Sequence, residues 1–180
     1  MSYPSNSSSS VIGESASAVA PAPTSSVGSL PFVPQSWGEI IDKITILEIK
    51  SEKLADPVKL RNVHRELAEL TSVREAHFPG HQGLSDLADK LKKVNESLWW
   101  IEDDIRDCER AKDFGPRFIE LARAVYVTND LRGNVKREIN DLLGSALVEE
   151  KSYAAYTDDQ AAASAALLGA VKSGKAPSQP

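Results

Sequence analysis

Four stretches of the chain carry apolar residues at every third or fourth position, the spacing of helices that bury one face. The clearest pattern lies in the third stretch and alternates spacings of three and four over more than three heptads. This heptad stripe predicts a long helix with a coiled-coil-like apolar face, formed by Leu84, Leu87, Leu91, Val94, Leu98, Ile101, Ile105 and Cys108. Cys108 is the single cysteine of the chain, so we expect a buried thiol and no disulfide within the chain.

Capping and helix-breaking residues set the limits of the predicted helices. "SWGE" places Ser36 at an N-cap and Glu39 three residues later, which is the capping-box pattern. The pair Asp56–Pro57 ends the first helix and starts the second, since Asp is a favoured cap and Pro suits the first helical position. "HFPGHQG" and "DFGP" then separate the third and fourth helices, the last of which runs from about Pro116 to about Leu143.

Long helices joined by short connections pack as antiparallel neighbours. The pattern therefore predicts an all-α fold of four long antiparallel helices, either one bundle or two paired coiled-coil hairpins. The flanks at 1–34 and 158–180 are rich in Ser, Ala and Pro or in Ala alone, and we expect disordered tails there. The helical domain then covers 35–157. It includes "GSALVEEKSYAAY", whose Leu147 and Tyr153 lead us to expect that it docks back onto the helices.

Composition narrows the function classes. A net charge of −5 and a pI near 5.3 argue against a nucleic-acid-binding surface, which needs a basic footprint. The chain shows neither a secretory signal pattern nor an apolar run near the roughly 20 residues of a membrane span, so we expect a cytoplasmic protein with no membrane contact. No cofactor motif is present, and His77 and His81 lack a third ligand at metal-binding spacing.

One part of the fourth helix breaks its apolar pattern. Four polar residues share the stripe that should face inward, and we call them the polar seam: Asn129, Arg132, Lys136 and Asn140. On the first helix, Glu48 falls on the same face as Trp37, Ile41 and Ile44. A buried carboxylate needs a cation, and we therefore expect Glu48 to pair with Arg132 or Lys136.

The third helix adds polar and aromatic residues beside its heptad stripe. Asn95, Trp99, Glu102 and Arg106 recur there at helical spacing, and Trp99 or Tyr126 could wall a pocket. Carboxylate pairs such as Glu39 and Asp42 could hold Mg²⁺ between facing helices, but such pairs are also common on the solvated faces of acidic helices. We predict no metal site.

Two functional interpretations remain open, and the sequence does not decide whether the protein is an enzyme. In the first, it is a non-enzymatic interaction or scaffold module. The polar seam then fixes helix register, and the heptad stripe associates with a second copy or a partner helix. In the second, the polar seam binds a small anionic ligand such as a nucleotide or sugar nucleotide. Arg132, Lys136 and Arg106 would then meet the anion, with Glu48 or Glu102 as acid or base.

Several blocks of the chain are similar to those of a known family. "GEIIDKITILEIKSEKL", "LWWIEDDIRDCE", "FIELARAVYVTNDLRGNVKREIN" and "GSALVEEKSYAAY" resemble an uncharacterised bacterial all-helical family, a domain of unknown function. The resemblance covers about 36–156 and implies no activity, cofactor or catalytic residue. Similar domains sometimes occur alongside glycosyltransferase or helical-repeat proteins, so the resemblance implies a role near glycan assembly. Gly133 departs from the pattern, where a small helix former is expected.

Overall fold

A computed structural model of the chain describes residues 32–150 and Ser152. Within them it forms four helices and no strand: α1 (Trp37–Lys53), α2 (Pro57–His77), α3 (Gln82–Ala111) and α4 (Pro116–Leu143). The all-α prediction is confirmed. Nearly all of the two predicted tails, and Tyr153, lie outside the described residues. Among the residues described, no helix combines the length and apolar composition that crossing a membrane requires.

The helix ends follow the local chemistry of the sequence. Ser36 Oγ accepts the Glu39 backbone N–H at 3.4 Å, and the Asp56 carboxylate accepts the Val58 N–H at 2.8 Å. The Glu39 carboxylate does not complete the predicted capping box, because it pairs with Lys136 of α4. The N-cap of α3 is His81, whose ring Nδ1 accepts the Leu84 N–H at 3.2 Å. This role differs from the one weighed from the sequence, in which His81 is a possible metal ligand.

Helix α1 lies at the centre and packs against each of the other three helices. It runs antiparallel to α4, because Gly38 meets Asn140 while Asp42 meets Arg132. Helix α3 is antiparallel to α4 as well, as its ion pairs Lys90–Glu138 and Asp104–Arg117 show. We call the four-helix part the base. Its core consists of Ile41, Ile44, Leu84, Leu91, Val135 and Ile139.

The α3–α4 pair continues beyond the end of α1. Lys53, the last residue of α1, places its Nζ 4.2 Å from the centre of the Trp100 ring. Helix α3 runs on to Ala111, which at 1.5 Å per residue is about 16 Å further. We call this two-helix extension, residues 101–111 and 116–127, the arm. Its core is a separate small cluster of Ile101, Leu121 and Ala124, with Ile105, Cys108 and Val125 half-buried around it.

The heptad stripe of α3 faces these two cores, as predicted. Five of its residues are buried and three are half-buried, among them Cys108, for which full burial had been expected. The thiol is less enclosed because Cys108 lies in the arm, where α3 and α4 are the only helices of the described residues.

Candidate functional site

Two other buried polar residues of the base, Thr45 and Asn95, meet around the carboxylate of Asp42. Its side chain is only 4% exposed, and Arg132 of α4 binds it with both arms of the guanidinium. Arg132 Nε donates to Oδ1 at 2.9 Å and Nη2 donates to Oδ2 at 2.5 Å. This bidentate geometry is the strongest form of arginine–carboxylate contact. The hydrogen bonds to Asp42, followed by its negative charge, raise the pKa of Arg132 despite the opposing effect of burial.

Helix α3 joins the same cluster through Asn95. Its Nδ2 donates to Asp42 Oδ1 at 2.9 Å and to Thr45 Oγ1 at 3.0 Å. Thr45 Oγ1 in turn donates to the Asp42 backbone carbonyl at 2.8 Å. We call Asp42, Thr45, Asn95 and Arg132 the Asp42 network. Because it links α1, α3 and α4, a shift of any one helix along its axis breaks at least one of these bonds.

A second cluster lies one turn further along α4. Lys136, with a side chain 10% exposed, pairs with Glu39 of α1 and, at 2.9 Å, with Glu149 beyond the end of α4. Burial lowers the pKa of Lys136, but the hydrogen bonds and charges of Glu39 and Glu149 outweigh it, so that its pKa is raised. The ammonium group is therefore held in its charged form.

The last contact of the polar seam fixes how closely two helices approach. Asn140 Oδ1 accepts the Gly38 backbone N–H at 2.7 Å, which satisfies a donor in the first turn of α1. A Cβ atom on Gly38 would lie 2.6 Å from the Lys136 carbonyl oxygen. Glycine is therefore required here by the close approach of α1 and α4, in ordinary helical conformation.

The buried polar side chains of these clusters find hydrogen-bond partners within the chain. Among the described residues, no buried side-chain nitrogen or oxygen lacks a hydrogen-bond partner. No group of three or more potential metal ligands occurs in that part of the chain either, and Glu39 and Asp42 bind different cations. Such an arrangement restrains helix position.

The predicted pairing of Glu48 with Arg132 or Lys136 is wrong. Glu48 lies at the edge of α1 that faces α3, where its carboxylate is 3.5 Å from Lys92 and its side chain is 34% exposed. The cations of α4 take Asp42 and Glu39 instead. The error has a physical cause: three helices cover α1, so its buried residues spread around most of its circumference and do not define a single inward face.

The remaining candidate residues divide between the network and the surface. Asn129 is half-buried and lies at the margin of the Asp42 network, with its Oδ1 3.5 Å from Arg132 Nη1. Glu102 and Arg106 are exposed and pair with each other at 2.7 Å, one turn apart on α3. Trp99 is half-buried and Tyr126 is exposed on the arm. The structure brings Asn129, Arg132, Lys136 and Asn140 together on one side of α4, but not Glu102 and Arg106.

Sequence reasoning missed the residues that complete the clusters: Gly38, Asp42, Thr45, Asn95 as a network member, and Glu149. A local signal existed for two of them. Gly38 is a glycine inside a strong helix pattern, where a close helix contact is a common reason. Asp42 lies one turn after Glu39 and directly follows Ile40 and Ile41, which are part of the apolar pattern of α1.

Comparison with known proteins finds no relative of this chain. A scan against protein-family models, a search of curated proteins and a search of solved structures each return no match to this chain.

Proposed function

We propose that the protein is a non-enzymatic helical interaction module, in which the base holds the arm in a fixed position for association with another helix. The observation that carries the proposal is the closed polar network of the base. Asp42 and Lys136 find their partners within the chain, and no buried polar side-chain atom of the described residues lacks one. The seam then acts through helix register, the best-attested role of buried polar groups in helical assemblies.

The exposed apolar residues of the arm support the same proposal. Two helices alone cannot enclose a core. Large side chains remain exposed at the root of the arm, along it and in the loop at its tip: Trp100, Ile119, Tyr126 and Phe114. A further helix laid on the arm would cover its half-buried core residues, as in helix-in-groove recognition. A second copy of this chain and a partner protein both fit that geometry.

The alternative, a small anionic ligand in the polar seam, has weaker support. Arg132 and Lys136 would be its anion-binding groups, and both already hold carboxylates of this chain. A ligand would have to displace Asp42 from a bidentate, nearly solvent-free contact.

Site-specific photo-crosslinking in cells tests the proposal. A photoreactive amino acid at Ile119 of the arm should give a defined crosslinked product, either a dimer or a complex with one partner. The same residue at Val73, an exposed apolar position on α2, is the matched control and should give none. In parallel, nucleotides, sugar nucleotides and divalent metals are screened for thermal stabilisation. No crosslink from the arm, combined with stabilisation by a sugar nucleotide that is lost in Arg132→Met, would favour the alternative.

A further inference from the structure

The chain folds back on itself directly after α4. Gly144 ends the helix with a positive φ of 59°, and the Ser145 backbone N–H donates to the Asn140 carbonyl at 2.9 Å. Ser145 Oγ accepts the Trp37 N–H at 3.2 Å and donates to the Leu147 carbonyl at 2.9 Å. These bonds direct residues 145–150, which we call the strap, back along α4.

The end of the strap presents two successive glutamates to two successive cations. Lys136 Nζ lies 2.9 Å from the Glu149 carboxylate, and Arg137 Nη2 lies 3.3 Å from that of Glu150. Arg137 Nη2 also reaches the Glu149 backbone carbonyl at 3.5 Å. The strap therefore binds α4 as a short acidic peptide would, through two side chains and one main-chain oxygen.

The apolar residues of the strap contribute little burial. Leu147 and Val148, its two large apolar residues, remain 46% and 43% exposed, and Ala146 is exposed as well. The Arg137–Glu150 pair joins two exposed side chains, so it contributes little to stability and salt screens it. The Lys136–Glu149 pair is screened less, because the Lys136 side chain is only 10% exposed. Both ion pairs are contacts that an external acidic segment could reproduce.

The net charge around Lys136 and Arg137 depends on the strap. With the strap in place, Arg132, Lys136 and Arg137 face four carboxylates, those of Glu39, Asp42, Glu149 and Glu150. Lifting the strap removes two of the four and leaves three cations with two carboxylates. The uncovered site then carries one excess positive charge, in a protein whose net charge is −5.

We propose that Lys136 and Arg137 form a binding site for an acidic peptide segment of a partner protein, and that the strap occupies this site as an intramolecular competitor. The partner segment carries two adjacent carboxylates, as the strap does. This site is separate from the arm, so the inference goes beyond the proposed function and stands or fails independently of it.

The experiment opens the strap in the full chain and supplies its sequence in trans. The opened variant is Glu149→Gln with Glu150→Gln, and the probe is a blocked peptide of sequence SALVEE, with SALVQQ as the neutral control peptide. Binding is followed by NMR titration, since a tethered segment acts at roughly millimolar effective concentration and the free peptide must reach that range. Glu102→Gln with Glu109→Gln is the matched control, because it removes two exposed carboxylates from α3 and gives the same net charge.

The opened variant should bind SALVEE saturably and at least about threefold more tightly than the unaltered chain, whose site is free only when the strap lifts. Adding Arg137→Gln to the opened variant should abolish that gain. The proposal is overturned if the opened variant binds no better than the unaltered chain, or if the α3 control gains as much. It is also overturned if SALVQQ binds equally well, or if inorganic phosphate displaces the peptide at equal concentration, which would indicate a plain anion site.

Discussion

The base and the arm share the two long helices α3 and α4 but differ in how completely they can bury side chains. In the base, α1 lies against α3 and α4, and core residues such as Leu91, Val135 and Ile139 have no exposed surface. Beyond the end of α1, the described residues place no third helix against the arm, and Ile101, Leu121 and Ala124 keep 4–8% of their surface exposed. Every buried polar residue of the described chain lies outside the arm: Ser36, Asp42, Thr45, Asn95, Thr128, Lys136 and Asn140.

The difference indicates what a buried charge requires. Asp42 is tolerated because helices on two sides supply Arg132 and Asn95, so its lone pairs are satisfied away from water. In the arm, the corresponding charged residues pair at the surface, as Asp104 does with Arg117 at 2.9 Å. The third helix thus allows the base to gain register from polar contacts, while the arm depends on its apolar stripe alone.

The largest expected difference between the two regions is the loss of unfolding free energy when a buried leucine is replaced by alanine. Leu91→Ala in the base should destabilise the protein by about 4 kcal/mol, because fixed neighbours enclose the cavity on all sides. Leu121→Ala in the arm should cost closer to about 2 kcal/mol, since its half-buried neighbours can relax into the space. Urea unfolding of both variants measures the two values. An arm variant as costly as the base variant would mean that another helix covers the arm in solution.

The next largest effect is expected when the buried carboxylate of Asp42 is removed from the base. Asp42→Ala should cost about 3 kcal/mol, because it leaves the Arg132 guanidinium partly buried without its carboxylate and also deprives Asn95 of an acceptor. The double variant Asp42→Ala with Arg132→Met should recover part of the loss.

Glu48→Ala is the matched control for that experiment. Its pair with Lys92 lies at the half-buried edge of α1, and Lys92 keeps its closer partner Glu52, so the change should cost less than about 0.5 kcal/mol. A larger loss for Glu48→Ala than for Asp42→Ala would mean that Glu48, and not Asp42, is the buried carboxylate that pairs with α4.

A smaller effect tests how closely α1 and α4 approach. Gly38→Ala should destabilise by about 1–3 kcal/mol, because the new Cβ meets the rigid Lys136 carbonyl and one helix must shift. Gly83→Ala, also in the first turn of a helix, places its Cβ 3.5 Å from the His81 ring and should change stability by less than about 0.5 kcal/mol. Equal values for the two variants would show that α1 and α4 can separate at little cost.

The sequence predicted the elements well because their signals are local. Heptad spacing on α3, Ser36 and Asp56 as caps, and the glycine and proline breaks depend on neighbours within a few residues. The polar residues of α4 were also found, because they interrupt an otherwise regular stripe.

The partners of those residues could not be predicted in the same way. Asp42 lies 90 residues from Arg132 and 53 from Asn95, so its environment depends on how three helices are rotated against one another. Glu48 and Asp42 are both flanked by isoleucines or leucines on a helix with several buried faces, and periodicity alone did not separate them. Glu149 follows the helix and reaches Lys136 only because Gly144 turns the chain back.

The smallest predicted effect is a pH dependence confined to the base. The contacts with Glu39 and Glu149 raise the pKa of Lys136 above its ordinary value, against the effect of burial. A cation whose pKa is raised on folding stabilises the folded state fully below its unfolded pKa, and that contribution is lost as the pH rises through the folded pKa. The difference in unfolding free energy between the unaltered chain and Lys136→Met should therefore hold from neutral pH to about pH 9 and shrink above about pH 10. Lys90→Met removes a lysine whose pair with Glu138 is exposed, and it corrects for the general loss of lysine charge. A difference that stays constant up to pH 11, after that correction, would mean that Lys136 acts in the base through its packing and not through its charge.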